Sequence, residues 1–566
     1  MTYAVPSKCA DTESELALPL DRAYFWERTR ASEVFLTQPG EGDPRDWSWS
    51  SAMAEARSMA AYLKTKHWEP GSRIVLLSRN CAWWIMADLA IWMSGHVSVP
   101  IFSSSNAASA LTLMEHCGAV ACFLGAVDNP ALLDAIPDGC ECVRFPNAPL
   151  RAGLDWDAIV AAHPPLRESP ARSAGDLATI IYTSGTTGDP KGAMHAFRAF
   201  AYFDKAVTQF TGEGGGQRLF SYLPLAHIAE RALTECAAIY QGWHIFFCGG
   251  QATFLQDLHA ARPTFFFSVP RLYAKFQLGV WEKVSQPALE KLLHVPVAGD
   301  STRKKILEEL GLASVERAAS GSAALPIDIL LWYRDLGLAL AEGYGSTEAG
   351  ITHIPPLAEL RPGYVGRNAP GVETKIDAHG EVLIKSPMNM LGYYHDPDLT
   401  EATITPDGFI RTGDLGELDA EGWLKIKGRI KERFKTSKGQ YVSPLSIELL
   451  LSCHTAIESC IVLGEGRPAP CAVLVLTPAA AAAADDSSSR RALEESLEQL
   501  VNSVNAKLET YQRLRFLALV TSRWTIDKGF LTPTLKLKRF AVEAHYAKLI
   551  PEWEAQHKAL VWQKEM

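Results

Sequence analysis

The apolar run Leu177 to Tyr182 opens directly into Tyr182-Thr183-Ser184-Gly185-Thr186-Thr187-Gly188-Asp189-Pro190-Lys191-Gly192. A short apolar run bounded by turn residues reads as a buried strand. The loop at its end narrows the fold further. Three glycines let the backbone turn tightly, four hydroxyl side chains and the backbone N–H groups can donate to oxyanions, and Lys191 adds a point charge. This is phosphate-cradling chemistry at the end of a strand. It is not a Walker A loop, because the lysine precedes its glycine and the GxxxxGK[ST] spacing is missing.

The rest of the first half fits such a strand. Arg73 to Ser78, Val97 to Phe102, Ala119 to Leu124 and Thr264 to Val269 read as further strands, and Ala82 to Met93 as a helix. Alternating strands and amphipathic stretches are the pattern of α/β layers. After about residue 360 the texture changes to short β-like segments (Glu373 to Ile376, Gly380 to Lys385, Trp423 to Gly428) set between Gly, Pro and Asp turns. The basic run GRIKERFKTSKGQ from Gly428 reads as a domain boundary. Beyond it, Ala479 to Ala484 with DDSSS reads as a solvent loop, and Arg491 to Leu508 as a helix packed through its leucines and valines.

With 566 residues the chain is long enough for several domains, at roughly 150 residues each. A net charge of -9 argues against a protein that coats nucleic acid. No signal-like segment is visible at the start, and the Ala82 to Met93 stretch is too short for a membrane span and carries Asp88. Eleven dispersed cysteines fit a reducing cytoplasm better than a disulfide framework, and Cys140 and Cys142 have the wrong spacing for zinc.

The phosphate loop resembles the signature of the adenylate-forming superfamily, which holds acyl-CoA synthetases, peptide-synthetase adenylation domains and beetle luciferases. Five more stations come after it in the family's order. Ser320-Gly321-Ser322-Ala323-Ala324 resembles the segment lining the adenine pocket, with Ala324 where a proline is usual. Glu342-Gly343-Tyr344-Gly345-Ser346-Thr347-Glu348 resembles EGYGxTE. Arg411-Thr412-Gly413-Asp414 resembles the TGD motif, Gly428-Arg429-Ile430-Lys431 the hinge motif, and Thr532 to Arg539 (TPTLKLKR) the C-terminal motif with its catalytic lysine.

The resemblance implies roles. The loop from Thr183 to Lys191 would hold phosphates, Tyr344 would lie against adenine, Thr347 would touch the α-phosphate and Glu348 would help hold Mg²⁺. Asp414 would accept from the ribose hydroxyls, Arg429 would contact the nucleotide, Lys431 would be the pivot, and Lys536 the catalytic lysine. Two of these make sense without the family. A carboxylate such as Asp414 suits a vicinal diol because it offers only acceptors, and a carboxylate such as Glu348 beside a triphosphate requires a cation between them. The implied fold is a large N-terminal domain, residues 1–428, of two α/β subdomains and a distorted β-barrel, with a small mobile α+β domain, residues 429–566.

Segments outside the shared motifs resemble the long-chain acyl-CoA synthetase branch. They are Ser221 to Ile228 with Glu230-Arg231, Val269 to Tyr273, Gly380 to Tyr394, Phe434 to Pro444, and Leu535 where shorter-chain relatives more often have glycine. His227 would sit at the edge of the acyl and nucleotide pockets. The resemblance therefore implies a ligase taking fatty acid, ATP and CoA, with the alternatives of an acyl carrier protein as acceptor or an adenylating enzyme that makes no CoA thioester. It implies a cytoplasmic protein, with peripheral contact at the inner face of a membrane left open. GAMHAFRAF after Lys191 and the compact stretch Gln277 to Arg303 depart from the branch near places where the acyl pocket could differ.

Overall fold

A computed structural model describes residues 16–40, 42–149, 153–184, 190–212, 216–356, 359–525, 528–532 and 536–563. Its central element is an eight-stranded sheet. In spatial order the strands are Gly392–Tyr393, Pro190–Ala196, Leu177–Ser184, Val97–Ile101, Arg73–Leu77, Ala119–Leu124, Glu141–Arg144 and Leu154–Asp155. The strands from Leu177–Ser184 to Leu154–Asp155 run parallel, and only the phosphate-loop hairpin and the edge strand beside it are antiparallel. Parallel strands are buried on both faces, which is why they read as unbroken apolar runs.

The helix Ala82–Met93 is buried at every residue. Asp88 is tolerated there because Arg231 meets it in a fully buried ion pair, and Arg231 also reaches Glu235 at 3.3 Å. A buried carboxylate without that partner would be costly. The helix Pro19–Thr29 and strand Val34–Gln38 belong to the same body: the strand pairs with His244–Phe247, and Trp26 Nε1 donates to the Ile239 carbonyl at 2.9 Å. Gly242 is required at that contact, since it has φ +69 and a Cβ would lie 2.8 Å from the Trp26 ring.

A three-stranded parallel sheet, Phe265–Ser268, Arg317–Ser320 and Leu340–Glu342, ends where the segments Ser320 to Ala324 and Glu342 to Glu348 begin. The β-rich module begins at Tyr344, earlier than the change near residue 360 read from texture, because Tyr344–Ser346 folds back antiparallel on Gly350–Ile354. By hydrogen bonding the β-rich module is a three-stranded and a four-stranded antiparallel sheet, the latter being Glu373–Ile376, Glu381–Lys385, Ile410–Leu418 and Leu424–Arg429. The last strand runs through Gly428 to Arg429, so the basic run begins inside a ladder.

The smaller domain is a four-stranded sheet, Ile457–Leu463, Cys471–Leu476, Leu517–Val520 and Leu560–Trp562, covered on both faces. Alternate residues point to opposite sides. Val462 and Leu474 meet Ile447, Leu497 and Val501, while Ile461 and Val473 meet Val542, Tyr546 and Trp553. The packed helix read from Arg491 to Leu508 is found as Ser487–Ala506. The alanine run is not a loop. Pro478–Ala483 is a helix, with Thr477 capping it by accepting from the Ala480 N–H, and Ala480 and Ala481 pack on the core.

Candidate active site between the two domains

The hairpin of Leu177–Ser184 and Pro190–Ala196 sets Thr183 opposite Lys191. Gly192 must be glycine, because a Cβ there would lie 2.8 Å from Ile180 Cγ2 and 3.0 Å from the Tyr182 ring. Gly185, Thr186, Thr187 and Gly188 lie outside the described residues, as does the side chain of Ser184.

The segment Ser320 to Ala324 leaves its strand at Ser320, whose carbonyl accepts from the Gly343 N–H at 2.9 Å. The two motifs are thereby joined at their starts. Gly321 would bring a Cβ to 3.4 Å from the Phe267 ring, and Ser322 turns the chain with φ +66. Glu342 supports the turn by accepting from the Leu325 N–H at 2.9 Å, and burial pushes its carboxyl up to about 7. In the next hairpin Gly345 faces the Gly350 carbonyl so closely that a Cβ would sit 2.2 Å from it. Thr347 and Glu348 lie at the hairpin's turn.

Asp414 lies opposite Arg429 in the four-stranded sheet. Its Oδ2 accepts from the Tyr344 hydroxyl at 2.6 Å, and its Oδ1 pairs with Arg429 Nε at 3.0 Å. Burial raises the Asp414 carboxyl, opposed by Arg429 and Tyr344. Arg429 is lifted chiefly by Asp414. A carboxylate held between a phenol and a guanidinium is oriented, with lone pairs left for a further donor.

Lys536 comes from the smaller domain. It is anchored by its own N–H to Thr532 Oγ1 at 3.0 Å and by its carbonyl to the Thr532 N–H at 2.8 Å. Its ammonium enters the cleft, which is open enough to leave the residue exposed to water. The protein walls around it still desolvate the charge and push its pKa down; Arg429 adds to the shift, and Asp414 and Glu348 pull the other way. His227 faces it from the larger domain: burial and then the Lys536 charge push the imidazole down to about 3. Its Nδ1 accepts from the Ala229 N–H at 3.2 Å, so it stays neutral and caps the turn. The two domains also touch at the rim, where Arg271 and Arg523 share Glu458, at 2.8 and 2.6 Å. Lys431 lies exposed in the one-turn helix Ile430–Glu432.

Glu348 is the carboxylate available to a cation. Its Oε1 accepts from the Tyr393 hydroxyl at 2.9 Å, and among the described residues no three His, Cys, Asp or Glu side chains cluster as a metal site. A lone hard oxygen donor fits a Mg²⁺ that arrives with nucleotide phosphates and completes its shell with their oxygens and water. Reasoning from sequence misses Tyr393 and the buried Arg539, which binds Glu448 and the Val462 carbonyl just after the lysine segment. Nothing in the local pattern around Gly392-Tyr393-Tyr394 points to Glu348, because that partner is distant in the chain.

Together the hairpin, the oriented carboxylate and the lysine supplied across the cleft define a two-domain nucleotide-handling α/β protein. The chain belongs to the AMP-binding enzyme family, which matches residues 24–394, and the AMP-binding enzyme C-terminal domain matches residues 431–557. It is 28% identical over 569 residues to the long-chain-fatty-acid–CoA ligase FadD15 of Mycobacterium tuberculosis, covering 92% of this chain and 94% of that one. It is 27% identical to the peroxisomal long chain acyl-CoA synthetase 6 of Arabidopsis thaliana, over 90% of this chain and 82% of that one. The fold is similar to that of the anthranilate CoA ligase AuaEII in complex with anthranoyl-AMP, with a TM-score of 0.78, 22% identity and coverage of 96% and 100%.

Proposed function

We propose that this protein is an ATP-dependent ligase that joins a long-chain fatty acid to CoA through an acyl-adenylate. A carboxylate oxygen attacks the α-phosphorus of MgATP, and the bond to the β-phosphate oxygen breaks to release pyrophosphate. The CoA sulfur then attacks the acyl carbonyl, the bond to AMP breaks, and the thiol proton passes to solvent. The observation that carries this reading is Lys536. A lysine from the second domain lies in the cleft with Glu348, Asp414 and Arg429, where a carboxylate and an α-phosphate would meet.

The protein's part is positioning and charge stabilisation. The loop from Thr183 to Gly188 and Lys191 receive the leaving pyrophosphate, and Thr347 the α-phosphate. Ser320, Gly321, Ser322, Gly343, Tyr344 and Gly345 shape the adenine pocket, and Asp414 accepts from the ribose hydroxyls with Arg429 beside it. Glu348 holds the Mg²⁺ that enters with the nucleotide. Lys536 steadies the incoming carboxylate, and His227 borders the acyl pocket as a neutral group. Lys431 is the pivot, so the domain boundary falls at residues 428–429.

The long-chain substrate is supported by the branch-like segments and by the long-chain ligases among the relatives. A cytoplasmic setting, with membrane contact for an apolar substrate, belongs to the same proposal and suits the scatter of eleven cysteines along the chain. The test is pyrophosphate release from ATP over fatty acids of increasing length, with and without CoA. Release that depends on a long acyl chain, with acyl-CoA formed only when CoA is added, is the expected result. Transfer to a phosphopantetheinylated carrier protein but not to CoA would overturn the acceptor, and release with short acids alone would overturn the substrate.

A further inference from the structure

The segment Met390 to Tyr394 holds Glu348 on one side and the strand of Lys191 on the other. The Met390 N–H donates to the Glu348 carbonyl at 2.7 Å, and the Tyr393 hydroxyl donates to Glu348 Oε1 at 2.9 Å. On the other side, the Leu391 N–H donates to the Met194 carbonyl and the Tyr394 N–H to the Gly192 carbonyl, each at 2.8 Å. Tyr393 therefore lies opposite Ala193, two residues along the strand from Lys191. Its own N–H donates to Thr400 Oγ1 at 2.8 Å, and Gly392, at φ +144, lets the chain pass where a Cβ would lie 2.8 Å from Thr400 Cγ2. Tyr393 is 7% exposed. Backbone and ring are thus fixed before the hydroxyl reaches Glu348.

We propose that Tyr393 is a positioning residue for the nucleotide's metal ion, fixing the orientation of the Glu348 carboxylate that would hold the ion, in register with the strand of Lys191. This rests on the assignment of Glu348 to the metal under the proposed function. The two charges must face one triphosphate from different elements, and the edge strand Gly392–Tyr393 is the bridge between those elements. An unheld glutamate would lose rotamer freedom each time it met the ion; one already bonded to a buried phenol has lost it in folding.

The test uses the full chain and the variants Tyr393→Phe, Glu348→Gln and the double substitution. The Kd of a non-hydrolysable ATP analogue is measured by calorimetry with and without Mg²⁺, and the Kd of AMP alongside. The quantity read is the factor by which Mg²⁺ tightens analogue binding. Tyr393→Phe is expected to cut that factor by roughly tenfold, the scale of one charge-assisted hydrogen bond, while AMP binding is unchanged. The double variant is expected to match Glu348→Gln alone. An equal further loss on top of Glu348→Gln would overturn the proposal, as would loss of AMP binding by Tyr393→Phe, which would make the tyrosine a support of the fold. So would an intact factor in Tyr393→Phe when Glu348→Gln has abolished it. If Glu348→Gln itself leaves the factor intact, the assignment of Glu348 to the metal is what fails.

Discussion

Lys536 and His227 face each other in the cleft, and the lysine's charge adds to burial in disfavouring charge on the imidazole. The imidazole yields, at about 3, and stays neutral through the physiological range. The lysine must keep its proton to steady a carboxylate, yet desolvation and Arg429 pull its pKa below that of an ordinary lysine. A depressed pKa means that the charged form is complete at lower pH and is lost sooner as pH rises. The kcat/KM for adenylation, which reports the free enzyme, should therefore fall on the alkaline side before an unperturbed lysine at about 10.4 would begin to titrate. Thioester formation from synthetic acyl-adenylate should instead rise with pH as the CoA thiol ionises, because the thiolate is the nucleophile. Opposite slopes for the two half-reactions are the expected result. Parallel slopes would remove Lys536 from the adenylating step.

At the scale of elements, the hairpin Tyr344–Ser346 with Gly350–Ile354 controls two functions at once. One strand presents Tyr344 to Asp414, and the turn presents Thr347 and Glu348. Gly345→Ala would drive a Cβ to 2.2 Å from the Gly350 carbonyl, and backbone cannot swing aside as a side chain can. The cost should be about 1–3 kcal/mol, the scale of overpacking, read as a lowered Tm together with a raised KM for ATP. A lowered Tm with ATP kinetics intact would separate the hairpin from nucleotide binding.

Elements of this kind also mark how much a sequence can tell. The helix Ala82–Met93 and the strands Ala119–Leu124 and Glu373–Ile376 are found at the residues read from pattern alone, because their boundaries coincide with turn residues. The alanine run misleads because its composition outweighs its signals. Alanine has the highest helix propensity, Thr477 is a cap and Pro478 fits a first turn, all local cues that the structure uses. Lys536, Asp414 and Glu348 can be proposed from sequence because a contiguous motif surrounds each. Tyr393 cannot, since its role exists only once strand Gly392–Tyr393 pairs with Pro190–Ala196, and pairing across that distance leaves no trace in local pattern.

For the whole molecule, the proposed reaction makes the orientation of the smaller domain the factor that would decide which half-reaction the cleft can run. Here Lys536 occupies the place where the acyl carboxylate would be activated, and the Arg271–Glu458 contact closes the rim. In the proposed second step CoA would have to reach the same acyl carbon, so a movement of the domain is expected, and the exposed turn Ile430–Glu432 is the segment proposed to absorb it. A one-turn 3₁₀ helix has φ near about -50 to -70°, and proline holds φ at about -65°, tolerated in a first turn. Lys431→Pro should therefore lock the orientation seen here: adenylation continues, and thioester formation from supplied acyl-adenylate collapses. Lys536→Ala should do the reverse. Adenylation falls by on the order of 10²-fold, the cost of one preorganised electrostatic donor, while thioester formation proceeds at nearly the original rate because the lysine has left the cleft by then. The two variants form a crossed pair, measured as pyrophosphate release in one assay and acyl-CoA from acyl-adenylate in the other. If Lys431→Pro impairs both steps alike, the pivot lies elsewhere; if Lys536→Ala impairs both in a folded protein, the lysine is structural and a single orientation serves the whole reaction.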